Sequence, residues 1–165
     1  VEFLRAQHGD EIPMGLNAAS ANRLAFTRHE PIGVVVAFSA FNHPLNLIVH
    51  QVAPAVATGC PCIVKPAEAT PLSAMRFVGI LREAGLPEEW CQGLVTTDLD
   101  VAGSLATDGR VGFFSFIGSA RVGWMLRSKL APGTRCALEH GGAAPVLVAE
   151  DADLDDWLEA EAPQG

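Results

Sequence analysis

The fold of this chain is decided by residues 31–64, which read PIGVVVAFSAFNHPLNLIVHQVAPAVATGCPCIV and contain no Asp, Glu, Lys or Arg. An uncharged stretch of 34 residues is long enough to cross a membrane. Polar residues, glycine and prolines interrupt it, however, so we favour a buried strand over residues 32–38, a buried helix over 45–58 and a second strand over 62–64. Uncharged strands are typical of the middle of a sheet that is covered on both faces.

The rest of the chain continues this alternation of strands and helices. Thr70-Pro71 combines an N-cap residue with proline at the first helical position, and it predicts a helix that ends near residue 84. We expect further strands over residues 93–97, 112–117, 134–139 and 145–149, and further helices over 98–106 and 118–130. The pattern indicates an α/β fold with a doubly wound, mostly parallel sheet and helices on both faces.

Composition and charge divide the chain into three parts. Residues 1–30 are expected to form a flanking arm or a pair of edge strands, residues 31–155 the main domain, and residues 156–165 an acidic, unstructured end. The formal net charge is −8, but seven acidic and no basic residues lie between residues 150 and 165, which leaves −1 for the rest. A nearly neutral body argues against binding to nucleic acid, and no polybasic segment indicates binding to a membrane surface.

The four cysteines follow no metal-binding spacing, so no metal site is expected. They are Cys60, Cys62, Cys91 and Cys136, and their apolar neighbours indicate small core residues in a reducing compartment. We expect no signal peptide and a cytoplasmic location.

Residues suited to bind a ligand occur where several of the expected strands end. They are the polar residues Asn42, Lys65, Glu68 and Glu139, and the glycine turn at Gly118. Because the carboxyl ends of parallel strands meet at one edge of the sheet, and open α/β sheets bind ligands there, the groups are expected to share a site.

Two of these clusters suit a nucleotide. Gly118 and Ser119 form a glycine turn before a helix, whose free N–H groups and positive end bind a pyrophosphate, although many strand–helix turns use glycine without binding an anion. Lys65 and Glu68 lie three positions apart and can donate to and accept from the hydroxyls of one ribose. The alternative for this pair is a solvent-facing ion pair of little energetic value.

Two other groups suit catalysis. A rigidly held Asn42 amide can donate a hydrogen bond to a developing oxyanion, and the alternative is that it caps the following helix or turns the loop. Glu139 can act as a general base if it is desolvated, and the alternative is a carboxylate at the rim of the sheet. His43 fits loop packing better than a role as a base.

Together, in order and at these separations, the motifs resemble those of the aldehyde dehydrogenase superfamily. The likeness runs from about residue 11 to residue 155, and it rests on EPIGV at 30–34, FNHP at 41–44, APA at 53–55, KPAEATP at 65–71, AGLP at 84–87, FIGS at 116–119 and LEHGG at 138–142.

The resemblance implies a variant Rossmann domain that binds NAD, with NADP as the alternative, in an enzyme that oxidises a small aldehyde to an acid through a cysteine thioester. It implies that Asn42 is the oxyanion-hole amide and that Glu139 activates water to hydrolyse the thioester. The implied cofactor contacts are Ser39, Phe41, Lys65, Ala67, Glu68, Gly118, Ser119 and Val122. Glu68 would repel a 2′-phosphate, which favours NAD. A homo-oligomer is expected as well.

The chain also departs from the family pattern. Ala40, Phe41, Thr97, Ile117 and His140 replace the usual residues, which leaves the fine geometry of the cofactor open. The family's nucleophilic cysteine lies roughly thirty residues beyond the glutamate, whereas 26 residues follow Glu139 here and none is cysteine. We therefore expect the cofactor-binding portion of such an enzyme, without its catalytic domain and inactive alone. The alternatives are a stand-alone nucleotide-binding or self-associating module, and an acylating or acyl-phosphate-reducing relative that needs no water-activating glutamate.

Overall fold

A computed structural model describes residues 6–143, 145 and 147–153 of the chain. Its elements, in chain order, are β1 (Glu11–Ile12), β2 (Ala25–Phe26), β3 (Val34–Phe38), α1 (Asn46–Ala57), β4 (Cys62–Lys65), α2 (Pro71–Glu83), a 3-10 turn (Glu88–Trp90), β5 (Cys91–Gly93), α3 (Leu99–Thr107), β6 (Val111–Gly118), α4 (Ala120–Arg127) and β7 (Arg135–His140).

Five of the strands form one parallel sheet in the order β5-β4-β3-β6-β7. The chain adds β4 and β5 on one side of β3 and then returns to add β6 and β7 on the other side. The direction of winding therefore reverses between β3 and β6, which is the switch point of an open α/β sheet. The predicted doubly wound parallel sheet is confirmed. β1 and β2 pair separately as a two-stranded antiparallel ribbon.

Helices cover both faces of this sheet, as predicted. On one face, alternate residues of β3 and β4 pack against α1 and α2, with Ala37, Val52, Val64 and Ala74 fully buried. On the other face, Phe114 of β6 is fully buried and packs with residues of α3 and α4. Both sets follow the two-residue period of a strand, so each central strand is apolar on both sides.

One extra residue interrupts the pairing of β3 with β6. Val34 pairs with Val111, but Val35 pairs with Phe113, so Gly112 lies in a bulge. A Cβ atom at Gly112 would collide with the carbonyl oxygen of Ile32. Glycine is therefore the residue that this close approach of two backbones allows.

Several helix ends follow from local sequence. Asp98 accepts hydrogen bonds from the N–H groups of Asp100 (2.8 Å) and Val101 (3.2 Å) at the start of α3. Gly59 has a φ of +79° just after α1, which favours glycine at that position. Pro54 is tolerated inside α1, as predicted.

Three sequence predictions need correction. The strand expected over 93–97 is β5, which ends at Gly93, and the helix expected over 118–130 ends at Arg127. The strand expected over 145–149 is wrong, because Pro145 and residues 147–149 are outside any strand and Leu147 is 96% exposed. An apolar run forms a strand only where a partner pairs with it.

The expected acidic end at 156–165 lies outside the described residues, and the division into a flanking arm and a main domain stays a prediction. No helix in the described part of the chain combines the length and the apolar character that a membrane span requires.

Candidate functional site

The carboxyl ends of four strands lie at one edge of the sheet. Phe38, the last residue of β3, pairs with Lys65 on one side and with Phe116 on the other, and Phe116 pairs with Leu138. The polar segments that follow β3, β4, β6 and β7 therefore start at the same level. Two cavities open at this edge, where β3 and β6 meet.

Cavity 1 has a volume of about 390 Å³ and lies on the face that α3 and α4 cover. Ser39, Lys65 and Val122, three of the implied cofactor contacts, line it together with apolar residues of both helices. Its volume is within the range of about 300–1,000 Å³ that is usual for small-molecule sites.

Cavity 2 has a volume of about 380 Å³ and lies at the edge itself, toward α1. Five sequence-predicted residues line it: Phe41, Asn42, Gly118, Ser119 and Glu139. The structure thus brings the amide and the carboxylate proposed for catalysis to one cavity, beside the glycine turn proposed for a pyrophosphate.

Ile117 lines both cavities and is the wall they share. It pairs with Glu139 in the register of β6 and β7, whereas its neighbour Phe116 faces the α3–α4 layer. Since side chains alternate along a strand, the last residues of β6 contribute to different cavities in turn.

Lys65 is held close to cavity 1. Its side chain is 14% exposed, and its Nζ lies 3.9 Å from Oε1 of Glu68 and 5.9 Å from the centre of the Phe38 ring. Glu68 is 47% exposed and, like Ala67, is not among the residues that line either cavity. The two side chains therefore form an ion pair, with the Lys65 cation facing the cavity and the Glu68 carboxylate facing solvent, and their contact with a ribose stays a prediction.

Ser39 carries an unused hydroxyl. The residue is 7% exposed and lines cavity 1, and its Oγ is buried without a hydrogen-bond partner among the described residues. A buried polar atom without a partner is uncommon in native proteins, and a ligand is one of the explanations for it.

Asn42 does not cap the following helix. Leu45 is the N-cap residue of α1, and no side chain accepts a hydrogen bond from the first turn. The alternative of a helix cap is therefore wrong. Asn42 is exposed, its side chain forms no hydrogen bond with the described residues, and it lines cavity 2.

Ser119 begins α4, and its Oγ accepts a hydrogen bond from the N–H of Val122 (3.4 Å). The hydroxyl proton remains available to a ligand. The N–H groups in the first turn of a helix have no partner within the helix, so this end can bind an anion.

Glu139 and His140 end β7 on opposite sides. Glu139 is exposed and lines cavity 2, whereas His140 packs against the rings of Phe116 (6.2 Å) and Trp124 (5.7 Å between centroids). Nε2 of His140 is buried without a described partner, and it lies where a Cβ atom on Gly123 would collide with it. His140 therefore fills the space beneath the first turns of α4.

None of the four thiols lines either cavity. Burial raises the pKa of Cys62 to about 12, and the neighbouring thiols of Cys91 and Cys60 add to this effect. Burial also raises the pKa of Cys91. Cys136 is half-buried in β7 and packs against the α3–α4 side of the sheet. A buried thiol with a raised pKa is a poor nucleophile.

Sequence reasoning missed two groups of residues near the edge. One is the second wall of cavity 1, which includes Leu99 and Met125 with the cation of Arg121. The other is Gln51, a buried residue of α1 whose Nε2 donates hydrogen bonds to the carbonyl oxygen of Phe38 (3.1 Å) and to Oγ of Ser115 (2.9 Å). A polar residue within an uncharged helix was the available signal for Gln51.

The chain is similar to known proteins over most of its length. The profile described as "Aldehyde dehydrogenase family" matches residues 1–163. The 3-sulfolactaldehyde dehydrogenase of Priestia aryabhattai is 40% identical over 148 residues, which cover 90% of this chain and 31% of that protein. The chain thus spans about a third of the length of this curated relative.

Solved structures show the same arrangement of strands and helices. Aldehyde dehydrogenase 21 from Physcomitrella patens, in complex with the reaction product succinate, matches with a TM-score of 0.81 and 35% identity over 87% of this chain and 30% of that chain. Betaine aldehyde dehydrogenase from Staphylococcus aureus, in complex with NAD+, matches at 0.77 and 28% identity over 86% and 27%. The glyceraldehyde-3-phosphate dehydrogenase GapN from Methanocaldococcus jannaschii, complexed with NADP, matches at 0.75 and 33% identity over 86% and 30%. The Rossmann-like fold is therefore confirmed.

Proposed function

Since the chain belongs to the aldehyde dehydrogenase family, we propose that it is the cofactor-binding portion of an NAD(P)-dependent enzyme that oxidises an aldehyde to a carboxylic acid through a cysteine thioester. The observation that carries the proposal is the pair of cavities at the switch point between β3 and β6. One is mainly apolar with two cations, and the other holds an amide, a carboxylate and the start of a helix.

The two cavities suit the two halves of a dinucleotide. Cavity 1 would take the adenosine, with the adenine against Val122 and the ribose hydroxyls near Lys65 and Ser39. Glu68 would approach the same ribose from the solvent side, because its Oε1 lies 3.9 Å from Nζ of Lys65. The pyrophosphate would cross the edge at Gly118 and Ser119, where the helix end attracts negative charge. Cavity 2 would then hold the nicotinamide, which would supply the hydride acceptor.

The chemistry assigned to the chain's own residues takes place in cavity 2. The Asn42 amide would donate a hydrogen bond to the aldehyde oxygen as it gains negative charge. Glu139 would take a proton from the water that hydrolyses the thioester. The thiolate that forms the thioester would come from outside these 165 residues, because no cysteine of the chain lines the cavity.

A binding measurement tests the cofactor half of the proposal. We expect calorimetry to show that the chain binds NAD and that Lys65→Met weakens the affinity about tenfold or more, since hydrogen bonds to charged groups contribute about 1.5–3 kcal/mol. Lys129→Met removes the same charge from an exposed residue that lines neither cavity, and it should leave the affinity unchanged. Absence of binding at millimolar NAD and NADP would refute the proposal.

An activity measurement tests the catalytic half. The chain alone should produce no NADH from aldehyde and NAD, because its thiols are buried or lie on the other side of the sheet. Aldehyde-dependent NADH formation by the chain that persists after each cysteine is changed to alanine would contradict the thioester route.

A second candidate function is a self-associating nucleotide-binding module. The outer edge of β7 pairs with no strand in the described residues, and exposed residues alternate along it. Unpaired edges of this kind favour pairing with another chain. Sedimentation velocity over a range of concentrations would distinguish a monomer from an associating chain, which also tests the expected homo-oligomer.

A further inference from the structure

His140 lies between the two groups that are proposed to act in cavity 2. It follows Glu139 at the end of β7 and pairs with Gly118 of β6. It also lines cavity 2 together with Ser119, the residue at which α4 begins. The strand that carries the proposed base and the helix end proposed for the pyrophosphate therefore meet at one side chain.

The ring of His140 occupies a gap that α4 leaves because residue 123 is glycine. Its Nε2 lies where a Cβ atom on Gly123 would collide with it. The rings of Phe116 and Trp124 border the same gap edge to face, with centroids 6.2 Å and 5.7 Å from that of His140. Nε2 is buried and forms no hydrogen bond with the described residues. The fit of the ring against these three residues therefore determines the distance between α4 and β7.

The contact at Gly123 is linked directly to the start of the helix. Gly123 lies one turn after Ser119, and its N–H donates a hydrogen bond to the carbonyl oxygen of Ser119 (3.0 Å). Residues one turn apart in an α-helix keep a fixed separation through such bonds. A shift of Gly123 relative to β7 must therefore shift Ser119 as well.

We propose that His140 is the positioning residue for the helix end that binds the pyrophosphate of the cofactor. Its ring keeps the first turn of α4, with Ser119 and the free N–H groups, at the distance from Glu139 that cavity 2 requires. This inference rests on the proposed function, which places the pyrophosphate at Ser119. The distance matters because a hydrogen bond from N–H to oxygen needs about 2.7–3.2 Å between the heavy atoms, so a small displacement of the helix end weakens its hold on an anion.

Removal and replacement of the ring test the proposal. Calorimetry at pH 8 would compare NAD binding to the chain and to His140→Ala. We expect the affinity to fall about tenfold, as for the loss of one hydrogen bond to a charged group. Free imidazole, which is uncharged at this pH, should enter the vacated space and recover most of the lost affinity. It should leave the NAD affinity of the unchanged chain as it is.

The matched control is Leu130→Ala. Leu130 packs against the same core beneath α3 and α4, but it follows the end of α4 and lines neither cavity. Its loss should lower the thermal stability and leave the NAD affinity unchanged. A His140→Ala protein that is less stable but binds NAD normally, or whose affinity imidazole does not restore, would overturn the inference. An equal loss of affinity in Leu130→Ala would overturn it too.

Gly123→Ala gives a second measurement that keeps the histidine. Alone it should weaken NAD binding, because its Cβ atom displaces the ring. In the double variant with His140→Ala it should cause no further loss, because no ring is left to displace. Unchanged NAD affinity in Gly123→Ala, or additive losses in the double variant, would overturn the inference and leave the proposed function intact. Absence of NAD binding to the unchanged chain would overturn both.

Discussion

The Gln51 side chain fixes the end of β3, from which the loop with Asn42 begins. Its amide nitrogen donates to the last carbonyl group of β3 and to Ser115 of β6, so it joins α1 to both strands at the switch point. The loop from residue 39 to residue 45 therefore begins and ends at fixed points. Oε1 of Gln51 is buried without a partner among the described residues, so the observed contacts of this amide are made by its donor group.

Gln51→Leu should lower the free energy of unfolding by about 1–3 kcal/mol, because it removes the hydrogen bonds that Nε2 donates to the carbonyl oxygen of Phe38 and to Oγ of Ser115. Urea denaturation measures this change. Ser115→Ala is the matched control and should cost less, since Gln51 keeps its bond to Phe38. Equal stability of Gln51→Leu and the unchanged chain would show that the hydrogen bonds of this amide do not stabilise the fold.

Cys62 makes the stability of the chain depend on alkaline pH. Its pKa is raised to about 12 in the folded chain from a usual value of 9.0, so the folded state keeps the proton that the unfolded state loses. The contribution is fully present below pH 9 and is lost as the pH rises toward 12. The slope approaches about 1.4 kcal/mol per pH unit for this thiol.

Urea denaturation between pH 7 and pH 10.5 tests this dependence. The free energy of unfolding should fall above pH 9, and it should fall less steeply in Cys62→Ala. The substitution itself lowers stability at every pH, so the comparison concerns the slopes. Parallel curves for the two proteins would mean that another group causes the loss.

At the scale of elements, α4 depends on a glycine that packs against β7. A Cβ atom on Gly123 would collide with the His140 ring and come within 3.0 Å of Phe116. Gly79 is also inside a helix, α2, but a Cβ atom there would meet nothing within 4 Å. Changing glycine to alanine should therefore change the free energy of unfolding in opposite directions in the two helices.

Gly79→Ala should raise the free energy of unfolding by about 0.5–1 kcal/mol, because alanine favours the helix and lacks the flexibility of glycine when unfolded. Gly123→Ala should lower it and should weaken NAD binding, because α4 must move away from β7 and carries Ser119 with it. Thermal unfolding and calorimetry measure the two effects. A stabilised Gly123→Ala protein would contradict the packing described for His140.

The sequence predicted those elements that local residues define without information about a partner strand. The apolar run before Ser39 and the Thr70-Pro71 start of α2 each predicted their element to within about two residues. The prediction failed for residues 145–149, where an apolar run alone does not reveal that no strand of the described residues pairs with it. It also moved β5 too far along the chain, because a strand of three residues has too short a pattern to define its ends.

At the scale of the whole molecule, the two cavities arise from segments that lie far apart in the chain. Residues that end strands were predictable as a group, since parallel strands place their carboxyl ends together. The helix walls were not predictable, because Arg121 and Met125 line cavity 1 only through the angle at which α4 crosses the sheet. Whether the predicted residues bind a cofactor stays a prediction that the binding experiments decide.

The edge of β7 gives the whole molecule a surface for association. Ala137 lies at the middle of this strand and is exposed. We expect the chain to associate at high concentration and Ala137→Lys to shift it toward monomer, because a charge on an edge strand opposes pairing with another strand. Sedimentation velocity compares the two, with Ala143→Lys as a control outside the strand. Equal association of all three proteins would exclude the β7 edge as the interface.

The bulge at Gly112 determines which face of the sheet each later side chain of β6 points to. Side chains three positions apart on a regular strand lie on opposite faces, yet Val111 and Phe114 both belong to the core beneath α3 and α4. The reason is that Gly112, which lies between them, has no partner residue in β3. Without that residue, either Val111 would leave the core or the carboxyl half of β6 would turn over. In the second case Phe116 and Ile117 would exchange faces of the sheet, and each would point toward the cavity that the other now lines. A glycine at the amino end of the strand thus governs which way the opposite end faces.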